Sequence, residues 1–209
     1  MLLGDFLESR SRKLARVALD VDETIADVIP HILKLHNKAK STDYKLYHIR
    51  DWAWTGMNIS NMEFRKHYST VWHKMSHAID LLVDKALLLE VSRHYEIDLV
   101  TKRANVPLVE ATVVPLRKWL EKHGMDKYRL VVSDMRHEKD VLEYDIYIDD
   151  SPKLAENISK YSNKKLFLVN RPHNKYYRIK SDNIVRVHDV NGALHALIEE
   201  AKGSGLKHK

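Results

Sequence analysis

The chain has 209 residues, 44% hydrophobic and 31% charged, enough for one sizeable globular domain with an inserted subdomain. It lacks cysteine, which excludes a disulfide framework and a thiolate metal site. The net charge of +6 attracts phosphate-bearing ligands, but the Lys and Arg are dispersed, which weighs against a nucleic-acid footprint.

No apolar run approaches the length of a membrane span. The start, Met1-Leu2-Leu3-Gly4-Asp5, acquires a charge too soon for a signal peptide, so a cytoplasmic protein is expected. Residues 1–13 read as a short helix to which no function is assigned.

The first strand is Ala15 to Asp20, in Arg16-Val17-Ala18-Leu19-Asp20-Val21-Asp22-Glu23-Thr24. Its apolar run reads as a buried parallel strand. Asp20 therefore stands at the carboxyl end, where open α/β sheets bind ligands. Asp20 and Asp22 project to the same side if the strand geometry persists. Two carboxylates that close repel one another, and a hard divalent cation such as Mg²⁺ relieves the cost. Taken alone, Asp-x-Asp-x-Thr fits equally a strand ending in a polar turn with Thr24 as an N-cap.

A helix is expected from Thr24, with Ile25, Val28, Ile29, Ile32 and His36 on one side and a bend or restart at Pro30. Residues 39–76 then break the strand–helix rhythm and carry seven aromatics, among them Trp52, Trp54 and Trp72. Asn61 to Met75 reads as helix and Asp51 to Gly56 as a loop. A simple crossover does not need so many residues, so this stretch is expected to be a small helical cap. Its aromatics serve core packing or a ligand face.

Ile79 to His94 reads as a second long helix. Strand two is Glu96 to Val100, ending at Thr101, with Lys102, Arg103, Ala104 and Asn105 as a polar turn. Pro115 is expected as a first helical residue and Gly124 as a stop. Strands follow at Arg129–Ser133, Asp145–Ile148 and Leu166–Val169, with an edge strand at Ile184–Val187 and a last helix from Gly192 to Ala201. The fourth strand ends in Asp149-Asp150-Ser151-Pro152.

The alternation predicts an α/β fold, a Rossmann-like parallel sheet with helices on both faces and the cap inserted after the first strand. The expected division is residues 1–27 and 80–202 as core, 28–79 as cap and 203–209 as a disordered tail. Right-handed crossovers bring Asp20, Thr101 and Asp149 to one rim.

Those residues suit phosphoryl transfer. Asp20 can attack phosphorus, Asp22 can serve as acid and base, Thr101 can donate to a phosphoryl oxygen, and Lys139 can balance charge. No His-Glu-x-x-His occurs, which weighs against zinc hydrolysis.

The ordered set Asp20-Val21-Asp22-Glu23-Thr24, Thr101, Lys139 and Ile148-Asp149-Asp150-Ser151-Pro152 resembles the four motifs of the haloacid-dehalogenase-like phosphohydrolases. Within that superfamily it is most similar to the 5′(3′)-deoxyribonucleotidases. The features are the Lys139 spacing, the position of the cap and Arg171-Pro172-His173-Asn174. The resemblance implies a Mg²⁺-dependent phosphomonoesterase of (deoxy)nucleoside monophosphates working through an aspartyl-phosphate. It implies Asp20, Asp22, Asp149 and Asp150 around the metal. Thr24, Lys102, Trp52 and Trp54 are the candidate substrate contacts. The alternatives are a phosphatase of another small phosphate or of nucleic-acid 3′-phosphate ends, or a non-enzymatic nucleotide-binding protein. Monomer and homodimer both stay open. Two departures stand out: Glu23 replaces the Gly common in motif I, and Lys102-Arg103 follow Thr101 in place of small residues.

Overall fold

The structure is a computed structural model and describes residues 14–103, 106–133 and 139–205. The expected N-terminal helix, Ala104 and Asn105 of the polar turn, Arg136 to Glu138 beside Lys139, and residues 206–209 of the expected tail lie outside the described residues, whereas residues 203–205, expected in that tail, belong to the last helix.

Strand β1 (Arg16–Asp20) occupies the middle of a six-stranded parallel sheet. On one side it pairs with β4 (Glu96–Lys102), which pairs with β5 (Arg129–Ser133). On the other it pairs with β6 (Ile146–Asp149), followed by β7 (Lys165–Val169) and β8 (Ile184–Val187). The spatial order is β5-β4-β1-β6-β7-β8. The chain thus leaves β1 toward one edge and returns on the other side of it. That reversal opens a crevice at the carboxyl ends, where α/β sheets take ligands.

Alternation along the strands feeds two cores. Val17, Leu19, Leu99 and Ile148 face Leu88 of α3 (Lys85–Val91), Leu116 and Trp119 of α4 (Val106–Lys122), and Leu194 and Leu197 of α6 (Val190–Gly205). Ala18, Val100, Tyr147 and Leu168 face Leu154 and Ile158 of α5 (Pro152–Ile158). Burial on both faces explains why these strands read as near-continuous apolar runs. The expected α/β architecture is the one found.

The insert follows β1. It holds α1 (Ile29–Lys40), a turn at Leu46–His48 and α2 (Asn61–Met75). Its two ends meet in an antiparallel ribbon of β2 (Ala26–Asp27) and β3 (Asp80–Leu81). Ser60 caps α2 in a reciprocal box with Glu63, a pairing visible in the sequence.

Three local expectations are corrected. No helix runs from Thr24; residues 21–27 form a tight turn and β2, and α1 starts at Ile29. Pro30 therefore sits in the first turn, where no N–H is required, and bends nothing. Ile79–His94 is not one helix: β3 comes first, and Asp84 caps the short α3 by accepting from Ala86 and Leu87 N–H at 2.7 and 3.4 Å. Pro115 lies inside α4, not at its start. Its ring removes one backbone bond, which burial of Leu116, Trp119 and Leu120 offsets. Gly124 does stop the chain after α4, at φ +68°.

At the opposite end of the sheet from the crevice, Asp98 is buried among cations. It accepts from Arg16 Nη2 at 3.1 Å, Arg129 Nε at 3.0 Å and the Tyr144 hydroxyl at 2.6 Å. Burial alone would raise its pKa, but the bonds from Arg129, Tyr144 and Arg16 outweigh burial and lower it. The stabilisation is therefore present above the unfolded carboxylate value and is lost as pH falls through the lower folded value. Asp98→Asn should cost about 3 kcal/mol at neutral pH. Its stability should also decline less steeply than the parent's below about pH 4. Urea unfolding at neutral and acid pH measures both; parallel declines would show that Asp98 is not the titrating group.

Candidate active site

The crevice is built on the turn that follows β1. The Val21 carbonyl accepts from Thr24, Ile25 and Ala26 N–H at 3.4, 3.0 and 2.9 Å, which folds the chain back sharply. Such a turn requires a positive φ, and Glu23 supplies it at +61°. A residue with a Cβ pays roughly 1–2 kcal/mol there. Glu23 offsets this with its side chain: Oε1 accepts from Val28 and Ile29 N–H, both at 2.7 Å, and so caps α1. Burial pushes the Glu23 carboxyl up to about 8, against the pull of Arg171. Arg171 Nε in turn donates to the Glu23 carbonyl.

Asp20 is buried at the end of β1. Its Oδ2 accepts from Thr24 Oγ1 at 3.3 Å, and its Oδ1 accepts from Lys139 Nζ. Lys139 is buried too and also donates to Asp149 Oδ2 at 2.7 Å. Asp149 Oδ1 accepts from Ser151 N–H at 2.8 Å. One ammonium thus bridges the ends of β1 and β6, which are neighbours in the sheet. Thr24 is not an N-cap; its hydroxyl serves Asp20.

Asp150 completes the group. Carboxylate oxygens of Asp20, Asp149 and Asp150 lie within 4.8 Å of one another, and all three residues are buried. When all three are ionised, their charge exceeds that of Lys139 by two. Burial raises the Asp20 pKa well above its usual range and raises that of Asp149; Lys139 pulls both down. For Lys139 burial opposes the charge, but Asp149 and Asp20 prevail and its pKa is raised. Asp150 Oδ2 is buried with no hydrogen bond among the described residues; His173 Nε2 lies 2.9 Å away but is not aimed to donate to it. An all-oxygen cluster two charges short of neutrality, with an orphaned oxygen, has the donor chemistry of a hard divalent cation.

Asp22 faces elsewhere. Its Oδ1 accepts from Trp72 Nε1 at 3.0 Å and its Oδ2 from Thr101 Oγ1 at 2.9 Å. Arg103 Nη2 lies 3.1 Å from Oδ2 and 3.3 Å from Oδ1. The carboxylate of Asp22 is thus apart from the acidic cluster of Asp20, Asp149 and Asp150. Thr101, expected to face a phosphoryl oxygen, has its hydroxyl engaged with Asp22.

The other expected contacts divide. Lys102 is half-buried at the end of β4. Trp52 is 59% exposed, with its ring edge-on to His173 at 4.8 Å. Trp54 departs from the expectation of a ligand face: at 6% exposed it packs on Phe64, ring centroids 5.1 Å apart, inside the insert. Sequence reasoning missed three residues that the structure places at the site. Arg103, with Lys102, was read as either an added phosphate contact or an exposed cation, and its burial against Asp22 was not foreseen. Trp72 was counted with the packing aromatics. Asn174 binds the carbonyls of Asp150 and Val169, both at 2.7 Å, and holds the loop after β7 against the acidic pair.

Comparison with known proteins agrees with this geometry. The family model described as 5′ nucleotidase, deoxy (Pyrimidine), cytosolic type C matches residues 13–201. No curated protein matches the chain by sequence. Among solved structures, a haloacid dehalogenase-like hydrolase from Burkholderia xenovorans is 10% identical, with TM-score 0.53 over 88% of this chain and 96% of its own. CbbY from Rhodobacter sphaeroides, solved with phosphate, is 13% identical, with TM-score 0.51 over 85% and 95%. A hydrolase from Pseudomonas syringae is 13% identical, with TM-score 0.53 over 89% and 98%. These likenesses show the fold; the model matched along nearly the whole chain shows that it belongs to the 5′(3′)-deoxyribonucleotidase family of haloacid-dehalogenase-like phosphohydrolases.

Proposed function

We propose that this chain is a Mg²⁺-dependent phosphomonoesterase that hydrolyses (deoxy)nucleoside monophosphates through an aspartyl-phosphate on Asp20. The observation that carries the reading is the separation of two aspartates that are two residues apart. Asp20 stands with Lys139 and the acidic pair, whereas Asp22 stands among Trp72, Thr101 and Arg103. Different surroundings suit the two carboxyl groups to different tasks.

In this reading an Asp20 carboxylate oxygen attacks phosphorus as the bond to the leaving oxygen breaks. Thr24 and Lys139 fix the attacking group, and Lys139 balances its charge. Asp22 gives its proton to the leaving oxygen. It then takes one from the water that attacks phosphorus, which frees Asp20 and inorganic phosphate. Asp20, Asp149 and Asp150, with the backbone of Asp22, would hold Mg²⁺, whose charge neutralises phosphoryl oxygens when it is bound.

Segment 28–79 is proposed as the cap and Trp52 as its reading surface, backed by Trp54, with Lys102 a further phosphate contact. Family membership supports a nucleotide substrate, and an exposed indole beside the acidic rim supports a base-stacking face. The family's cytosolic description supports a cytoplasmic location. No helix among the described residues is long and apolar enough to cross a membrane. A monomer or a homodimer is compatible with the site.

Asp20→Asn keeps shape and removes the nucleophile, so turnover on nucleotides should fall at least about a thousandfold while the circular dichroism spectrum is kept. Substantial hydrolysis by the pure variant would exclude aspartyl-phosphate chemistry. Converting both Asp149 and Asp150 to Asn should weaken Mg²⁺ binding by more than about tenfold, the lower end of what a ligand's supporting residue costs. It should also raise the metal-free melting temperature, because like charges are relieved. Unchanged Mg²⁺ affinity by calorimetry would remove the pair from the metal site.

The two loop tryptophans should separate. Trp52→Ala should raise KM for a nucleotide about 5- to 100-fold, the equivalent of one stacked base, and spare a small aryl phosphate. Trp54→Ala should instead destabilise the protein by about 3–5 kcal/mol. Equal losses on both substrates in a well-folded Trp52→Ala protein would refute stacking there and favour the alternative small phosphates.

A further inference from the structure

Among the described residues Arg103 and Lys139 are the two Lys or Arg that are buried. Lys139 is accounted for by Asp20 and Asp149. Arg103 is not. Its side chain is 1% exposed, yet among the described residues only Nη2 has a hydrogen-bond partner, Asp22. Nε and Nη1 are buried and make no hydrogen bond among the described residues. The guanidinium carbon lies over the Trp72 ring, 4.3 Å from its centroid, and over the Tyr68 ring, 5.4 Å from its centroid. These contacts place the group against aromatic rings and leave Nε and Nη1 without acceptors among the described residues. Withdrawing charged donors from water without acceptors is costly, and an arginine that only packed the insert onto β4 has no reason to bear that cost.

The position tells which acceptor is missing. Arg103 follows the end of β4, on the crevice rim, and touches Asp22, the residue the leaving oxygen must reach in the proposed reaction. Each two-pronged edge of a guanidinium includes Nη2, the nitrogen that Asp22 holds. A tetrahedral oxyanion offers paired oxygens that fit such an edge. An oxyanion docking on Arg103 therefore shares Nη2 with Asp22 and loosens its hold. Asp22 as it stands accepts from Trp72, Thr101 and Arg103, with the Tyr68 hydroxyl beside it, so these donors compete with a leaving oxygen for the carboxylate.

We propose that Arg103 is a phosphate-binding residue of this site and an exchangeable clamp: it holds Asp22 until a phosphate group arrives, then turns its free donors to the phosphoryl oxygens and releases Asp22. The inference rests on the phosphomonoesterase reading, but it is tested by binding, so the two can fail separately.

The probe is inorganic phosphate in saturating Mg²⁺, titrated calorimetrically into the full chain. Arg103→Gln should bind phosphate at least about tenfold more weakly, the loss of a charged two-pronged contact. Mg²⁺ affinity without phosphate should stay within about twofold, because Arg103 touches none of the acidic cluster. Arg103→Lys keeps the charge without the paired edge and should fall between. Asp22→Asn weakens the competing partner, so it should tighten phosphate binding in the parent and do so less when Arg103 is Gln or Lys. A phosphate affinity unchanged in folded Arg103→Gln overturns the proposal. If a melting curve shows that variant unfolded, Arg103→Lys decides, and parent-like affinity there overturns it. Equal tightening by Asp22→Asn with and without Arg103 also overturns it, since charge alone would then explain the gain. Arg103-dependent phosphate binding in a protein that hydrolyses no phosphomonoester would sustain this inference and sink the proposed function.

Discussion

The crevice depends on how one buried ammonium holds two carboxylates that repel each other. Unit charges at the spacing of the Asp20, Asp149 and Asp150 oxygens repel by roughly 3 kcal/mol per pair at an effective dielectric of about 20. Parallel pairing of β1 with β6 sets that spacing, because Leu19 faces Ile148 in register and the next residues carry the acids. Lys139 enters from the turn just before β6 and bridges the two strand ends. The lysine relieves part of the repulsion, and the remaining excess of two charges makes the cluster an attractor for a divalent cation. The apolar burial of the central strands sustains this arrangement, since it fixes the strand ends whatever the acids prefer.

Much of this was legible in the sequence. Strand-ending acids are readable because a buried parallel strand is a nearly continuous apolar run, and Asp20 and Asp149 interrupt two such runs abruptly. The insert was readable because residues 39–76 are too long and too aromatic for a crossover. The turn after β1 was not readable as a turn. Ile25, Val28, Ile29 and Ile32 have helical spacing, yet Glu23 at positive φ and the triple use of the Val21 carbonyl override that period for seven residues. The apolar run of Ile79 to Val91 hid the two-residue β3, since pairing with Ala26 is a tertiary contact. Pro115 misled because propensity places proline at helix starts, whereas tertiary burial on the other side of α4 tolerates it inside.

Side-chain partnerships were the least readable layer. Trp52 and Trp54 are two residues apart on one loop, yet one is open beside His173 and the other is enclosed against Phe64. Sequence spacing in a loop carries no period from which to assign a face. Arg103 poses the opposite problem: a cation beside a polar turn has the pattern of a surface residue, and only the approach of α2 buries it.

That approach changes what the insert is. A lid that merely covered the crevice would contact the core through packing alone. Here α2 supplies Trp72, whose indole N–H donates to the proposed acid and base Asp22, 50 residues earlier in the chain. The same ring lies against the guanidinium of Arg103, which also binds Asp22. Asp22 is thus held by Trp72 from the insert, with the Tyr68 hydroxyl of the same helix beside it, and by Thr101 and Arg103 at the end of β4. The antiparallel ribbon of β2 and β3 ties together the two ends of the insert immediately beyond Asp22. Any displacement of α2 from the core would remove a hydrogen bond from Asp22 and uncover Arg103 in the same movement. Seating of the insert and the state of the proposed proton donor are therefore one equilibrium, coupled through the contacts of α2 with Asp22 and Arg103.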